Sequence, residues 1–288
     1  NINNIQCIDG ADFSVEDIPK DKYTLIIFCS QSGETKDLYR CLELCSNQKN
    51  IVTLGVINVV DSLIAREVNC GVYLNAGREV AVASTKSFTS MLCILSMISI
   101  WMHQEVEIFS TIYKSYLDNI RKLPTNISNL LDLLDINYYN DINIDKLNHN
   151  SLFILGKGKM EAVAKEGALK IKEICYIHAE GCSASSLKHG PFALLSNDFP
   201  VILVSPNNCF YNKMKNVYEE IKSRGSPIIF ITSDNNCDLE NSIIVPYNSS
   251  FDDLLSIIPL QMIAYQLSLL RNLNPDYPRN LAKSVVVE

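Results

Sequence analysis

Leu25-Ile-Ile-Phe-Cys-Ser-Gln-Ser-Gly-Glu-Thr35 decides how this chain folds. Its first five residues are apolar with no polar alternation, the signature of a strand buried on both faces. At Ser30 the run breaks into a small polar turn, and Thr35–Ser46 follows with helical character. Strand, tight turn and helix make one βα step. The step repeats. Candidate strands are Ile5–Ile8, Leu25–Cys29, Ile51–Val56 and Gly71–Leu74, then Leu152–Leu155, Val201–Val204, Pro227–Ile231 and Ile243–Val245. Candidate helices are Thr35–Ser46, Thr85–Gln104, Lys159–Cys175, Cys209–Ser223 and Phe251–Arg271. The expected class is α/β, with mostly parallel sheets flanked by helices.

The series runs twice. Leu152-Phe-Ile-Leu-Gly-Lys-Gly-Lys-Met-Glu-Ala-Val163 is again a strand ending in a small-residue turn that opens a helix, an echo of topology rather than of sequence. Between the series, residues 105–150 have helical character and then turn polar, and Asn137–Asn150 is rich in Asn and Asp, as a linker would be. The predicted boundary lies near residue 145, giving subdomains 1–145 and 146–273. Pro275 and Pro278 forbid a long helix at the end, so 274–288 is expected as an extended tail.

The 288 residues are 47% hydrophobic and 20% charged, enough apolar mass for two cores. A formal charge of -7 disfavours a broad nucleic-acid surface but leaves room for one small phosphate, which needs only a few local donors. The 10 cysteines show no CxxC pair and no zinc spacing, and read as free thiols. No metal or cofactor is expected. Met91–Trp101 is apolar but too short to span a bilayer, and no signal peptide is visible, so a cytoplasmic protein without a membrane anchor is expected. The chain opens on Asn1, as a piece of a longer protein would.

In the opening segment, Ser30, Ser32 and Thr35 are hydroxyls within one turn, and Gly33 allows close backbone approach. The helix that follows would aim its free N–H groups at the same place. Two readings stay open, a phosphate cradle and simple helix capping. The loop lacks the patterns of nucleotide and dinucleotide sites, which favours a small phosphorylated metabolite over ATP or NAD. In Lys165–Glu173, Glu166, Lys170 and Glu173 stand at i, i+4 and i+7 and share one helix face. That is either a solvated charged stripe or part of a proton-transfer site. His189 lies in a loop before Gly190-Pro191. Carboxylate, imidazole and ammonium together suit proton transfer beside a sugar carbonyl.

Five segments carry a resemblance: CSQSGETKD (29–37), NAGREVAVASTKSFTS (75–90), AKEGALKIKEICYIHAEG (164–181), LKHGP (187–191) and PRNLAKSVVVE (278–288). Together they resemble the isomerase part of the glutamine–fructose-6-phosphate aminotransferases, built from two sugar-isomerase (SIS) domains. The likeness runs in order through nearly the whole chain. It implies two flavodoxin-like SIS subdomains and a tail over the active site. By resemblance, Ser30, Gln31, Ser32 and Thr35 hold the phosphate, while Val82, Ser84 and Ala282 bind the sugar. Glu173 moves the proton between C1 and C2, Lys170 assists it, His189 opens the ring from a neighbouring subunit, and Lys283 forms a Schiff base with the ketose.

The expected substrates and products are fructose 6-phosphate, glucose 6-phosphate and glucosamine 6-phosphate, in a homodimer whose full-length chain adds a glutaminase domain. Nothing here resembles that domain. The family's Cys-Gly-Thr-Ser turn on an earlier strand is also not seen, so the first sheet is expected one βα unit short. Rivals are another SIS-class phosphosugar isomerase or deglycase, which has no reason to keep the PRNLAKS tail, and a non-catalytic sensor, which has no need of the Glu–Lys–His set.

Overall fold

The computed structural model describes residues 4–20, 22–46, 48–104, 111–134 and 142–283. They fall into two compact units, Asn1–Ser110 with Ala282–Glu288, and Thr111–Leu281.

The first unit holds three parallel strands, β1 (Thr24–Ser30), β2 (Ile51–Ile57) and β3 (Cys70–Tyr73), in the order β1-β2-β3. Register pairs Ser30 with Ile57 and Ile57 with Tyr73, so the carboxyl ends of all three strands finish level. Helix α1 (Lys36–Ser46) lays Cys41, Leu42 and Cys45 on Phe28 and Ile57. A short helix α2 (Leu63–Glu67) follows β2 and buries Ile64. On the opposite face, α3 (Lys86–Gln104) covers Leu54, Val56 and Leu74 with Met91, Ile94, Leu95 and Ile98. That cover stops short of β1, whose Leu25, Ile27 and Cys29 stay exposed. One expectation fails here. Ile5–Ile8 is not a strand; these residues join no ladder among the described residues, and Ile5 is 83% exposed. An apolar run without a paired edge has nothing to hold it extended.

The second unit contains α4 (Thr111–Leu133), β4 (Ser151–Gly156), α5 (Met160–Cys175), β5 (His178–Ser183), β6 (Val201–Val204), α6 (Tyr211–Lys222), β7 (Ile228–Thr232), β8 (Ser242–Ile244) and α7 (Asp252–Leu270). The all-parallel sheet runs β5-β4-β6-β7-β8, the flavodoxin-like order. Phe153, Leu155, Leu203 and Phe230 pack with Met214, Tyr218 and Ile221 of α6. Gly167 brings α5 against α7; a Cβ there would sit 2.6 Å from Leu260 Cδ1. Helix α7 is long and apolar enough to cross a membrane by length and composition, but most of it is buried in this core.

Strand β5 was not expected, because His178-Ala-Glu-Gly-Cys-Ser183 lacks an apolar run; it lies at the sheet edge. Helix α4 joins the second unit through Asn119, whose side-chain amide donates to Ser249 Oγ (3.1 Å) and Ser250 Oγ (2.9 Å). Within the expected linker, residues 135–141 lie outside the described residues. Ile144–Leu147 then makes a 3-10 turn that buries Ile144 and Leu147. The tail has no regular secondary structure through Lys283. Residues 284–288 lie outside the described set.

Candidate functional site

In the first unit, β1 delivers the Ser30–Thr35 loop at the carboxyl end of the sheet, where open α/β sheets bind ligands. Ser30 is buried, and its Oγ accepts the Gly33 N–H at 2.9 Å and lies 3.4 Å from Thr35 Oγ1. Ser32 Oγ accepts the Glu34 N–H at 3.2 Å. Gly33 has φ +67, and a Cβ there would fall 1.9 Å from Ser62 Oγ, so glycine is required for both backbone and space. Two bonds brace the loop from α2: Glu34 Oε1 accepts the Leu63 N–H (2.8 Å), and Gly33 O accepts the Ile64 N–H (3.0 Å). Gln31 and Ser32 are half-buried, as a ligand-facing turn needs. The capping and cradle readings are compatible: the serine oxygens accept from the loop's backbone while their own O–H groups remain donors.

The segment between β3 and α3 carries the second part of the site. Val82 and Ser84 are half-buried, and Glu79 is buried. Glu79 Oε1 accepts the Thr85 N–H (2.8 Å), and Ser84 Oγ and Ser87 Oγ both donate to Oε2. Burial alone would push this carboxyl up. The Ser87 hydroxyl, the Thr85 N–H and the Lys283 ammonium outweigh it and hold the carboxyl below its ordinary value. Lys283 docks here. Its Nζ lies 2.6 Å from Ala81 O, 3.3 Å from Glu79 Oε2 and 3.5 Å from Val82 O. Ala282 beside it is exposed. The tail lysine and the Ser30–Thr35 loop therefore belong to the same compact unit.

In the second unit, α5 buries Lys170 with 5% of its side chain exposed. Its Nζ lies 3.3 Å from Glu166 Oε1 and 2.8 Å from Glu173 Oε2, so the predicted stripe is a triad of two half-buried carboxylates on a buried ammonium, not a solvated face. Burial pushes the Glu166 carboxyl up; the Lys170 ammonium pulls the other way and loses. Tyr176, in the left-handed conformation at φ 57, ends the helix just beyond this triad.

His189 stands apart, exposed at the end of a 3-10 turn (Leu187–His189) and followed by Gly190 at φ +138. Among the described residues its ring has no ion pair or hydrogen bond. Its neighbour Lys188 is tied to Glu220 of α6 at 2.7 Å, which anchors the turn. Glu79 is the polar residue that the sequence left unremarked. Its signal was a carboxylate just before a helix start, inside a segment otherwise read for its sugar contacts.

The SIS domain family matches residues 13–100 and 147–271, one match in each half of the chain. The probable glutamine–fructose-6-phosphate aminotransferase (isomerizing) of Acanthamoeba polyphaga mimivirus is 46% identical over 293 residues, covering 99% of this chain and 46% of the relative. The Homo sapiens protein named glutamine–fructose-6-phosphate aminotransferase (isomerizing) 2 is 38% identical over 287 residues, covering 97% of this chain and 41% of the relative. The chain thus spans less than half the length of these relatives, and it is their SIS part that it matches. Among solved structures, the C-terminal domain of glucosamine–fructose-6-phosphate aminotransferase from Francisella tularensis superposes with TM-score 0.81 at 28% identity, covering 91% of this chain and 74% of that one.

Proposed function

The chain belongs to the SIS-domain family, and on that premise we propose that it is the sugar-isomerising part of a glutamine–fructose-6-phosphate aminotransferase. Its substrate is fructose 6-phosphate, its nitrogen comes as ammonia from glutamine, and its product is glucosamine 6-phosphate. The glutamine is hydrolysed by a glutaminase domain of the full-length chain. The working form is a cytoplasmic homodimer.

The observation that carries this reading is the docking of Lys283 on Ala81 O and Val82 O, in the unit that also holds the Ser30–Thr35 loop. A lysine amine can add to a ketose carbonyl and pass the resulting imine on to ammonia, a step that a plain C1–C2 proton shuttle does not require.

The roles follow from the chemistry of each group. Ser30, Gln31, Ser32 and Thr35 hold the phosphate with hydroxyl and backbone donors. Val82, Ser84 and Ala282 line the sugar. His189, contributed by the partner subunit, protonates the ring oxygen and opens the ring. The free amine of Lys283 adds to C2 of the open ketose and water leaves, giving an imine. Ammonia then replaces the lysine on C2. Glu173 takes the proton from C1 and returns it to C2, leaving the aldehyde at C1 and the amine at C2. Lys170 balances Glu173 as the proton comes and goes.

Fructose 6-phosphate and borohydride added to the full-length protein should leave a stable mass increment on the peptide carrying Lys283. Labelling elsewhere, or none, defeats the imine. Glu173→Gln, which keeps shape but removes the base, should lower isomerisation by roughly 10²-fold or more; near-normal turnover would refute the role.

A further inference from the structure

We propose that Glu79 is the positioning residue for the Lys283 amine, clamping it in one orientation beside Val82 and Ser84 until substrate draws it off. The inference rests on the reading of Lys283 as the imine-forming amine and adds the group that places it.

Two observations meet at this carboxylate. The first is the amine's surroundings. An ammonium has three N–H bonds to give, and three oxygens of one segment lie around Nζ: Ala81 O at 2.6 Å, Glu79 Oε2 at 3.3 Å and Val82 O at 3.5 Å. A flexible four-carbon side chain is thereby fixed at its tip, inside a shell made of acceptors.

The second is the rigidity of Glu79 itself. Its side chain is 3% exposed. Oε1 takes the backbone N–H groups of Thr85 (2.8 Å) and Ser87 (3.4 Å), where α3 begins, and Oε2 takes the Ser84 and Ser87 hydroxyls. Free helix N–H groups and the helix dipole both favour an anion at that point. The carboxylate is therefore tied to α3 and turns towards the amine the one oxygen that also holds the two hydroxyls.

The clamp has a chemical consequence. A lysine can add to a carbonyl only as the free amine. The low proton affinity of Glu79 makes it a poor acceptor for that proton, so it acts as an orienting counter-ion and not as the base. The resting amine is sheltered, and it reacts once the sugar displaces it from the carbonyl oxygens. Ser84, which the resemblance gives to the sugar, also touches Glu79, so a sugar bound at Ser84 would disturb the clamp directly.

The test uses the full-length protein and two variants, Glu79→Gln and Ser87→Ala. Without substrate, acetylation of Lys283 by acetic anhydride is measured by peptide mass spectrometry against exposed Lys49. The ratio should rise about tenfold in Glu79→Gln and about threefold in Ser87→Ala, as the amine is released. With substrate, kcat should fall about tenfold or more while the KM for fructose 6-phosphate changes less than about threefold, because the phosphate loop is untouched. An unchanged acetylation ratio in Glu79→Gln, or unchanged kcat, overturns the proposal. If Glu79→Gln does not fold, an unchanged ratio in Ser87→Ala overturns it instead. If the unaltered protein traps no imine yet acetylation responds to Glu79→Gln, the clamp stands and the imine role of Lys283 falls.

Discussion

In the second unit, β4, β6 and β7 are buried along almost every residue, with helices on both faces of a five-stranded sheet. In the first unit, β1 alternates: Ile26, Phe28 and Ser30 turn inward, while Leu25, Ile27 and Cys29 face out, joined on that face by Val52 and Val72. Both strand sets read as apolar on both faces, and only one is covered on both. Sequence pattern therefore reports what a strand is made to bury, not what is present to bury it. The bare face of β1 is apolar beyond what a solvated sheet needs.

The two units also differ in their buried charge. The first pairs one carboxylate with one ammonium at a helix start; the second places two carboxylates around one ammonium.

The sharpest test of the contrast is the core of the second sheet. Phe230→Ala empties a fully buried site between Tyr211 and Tyr218 and should cost about 3–5 kcal/mol in denaturant unfolding. A cost below about 1 kcal/mol would mean that this sheet is no better packed than the first.

Next comes Gly33→Ala, which forces an alanine into φ +67 and a Cβ onto Ser62 Oγ. It should cost about 1–3 kcal/mol and weaken sugar-phosphate binding, as isothermal titration would show. Retained affinity would make the loop a cap and nothing more.

The charge clusters should respond to pH with opposite sign, each by about 1 kcal/mol or less. The Glu79 carboxyl is depressed, so its stabilisation is full above the ordinary carboxylate value and fades as pH falls through its lower folded value. The Glu166 carboxyl is raised, so the folded protein binds its proton first, and stability declines as pH rises from the ordinary value through the raised one. Unfolding series for Glu79→Gln and Glu166→Gln against the unaltered protein should therefore slope in opposite directions. Parallel slopes would mean that the two clusters are electrostatically alike.

The smallest expected effect is the most telling about the bare face. Ile27→Thr should change the stability of this chain by no more than about 0.5 kcal/mol. A loss above about 2 kcal/mol would show that something covers β1 in solution.

Much of the molecule was legible because its signals are local. The βα alternation, the Ser30–Thr35 turn and the 166/170/173 stripe all depend on neighbours within a few residues. Burial of Lys170 was not legible, because α5 packs at Gly167 on α7, which comes some ninety residues later. Strand β5 escaped because an edge strand needs no apolar run. Ile5–Ile8 was misread because composition suggested a strand where, among the described residues, no neighbouring strand pairs with it. The Glu79–Lys283 pair was invisible for a different reason: its partners are 204 residues apart, and neither belongs to a periodic pattern.

That separation has a consequence for how the protein is made. The first unit is discontinuous, since its body precedes the second unit and its lysine follows it. A ribosome finishes the Ser30–Thr35 loop early and delivers Lys283 only after the whole of the second unit has emerged. Any chain cut short between them has the loop but not the lysine that meets Glu79. Complete synthesis thus becomes a condition for the proposed imine step, and the closing contact at Glu79 is where that condition is met.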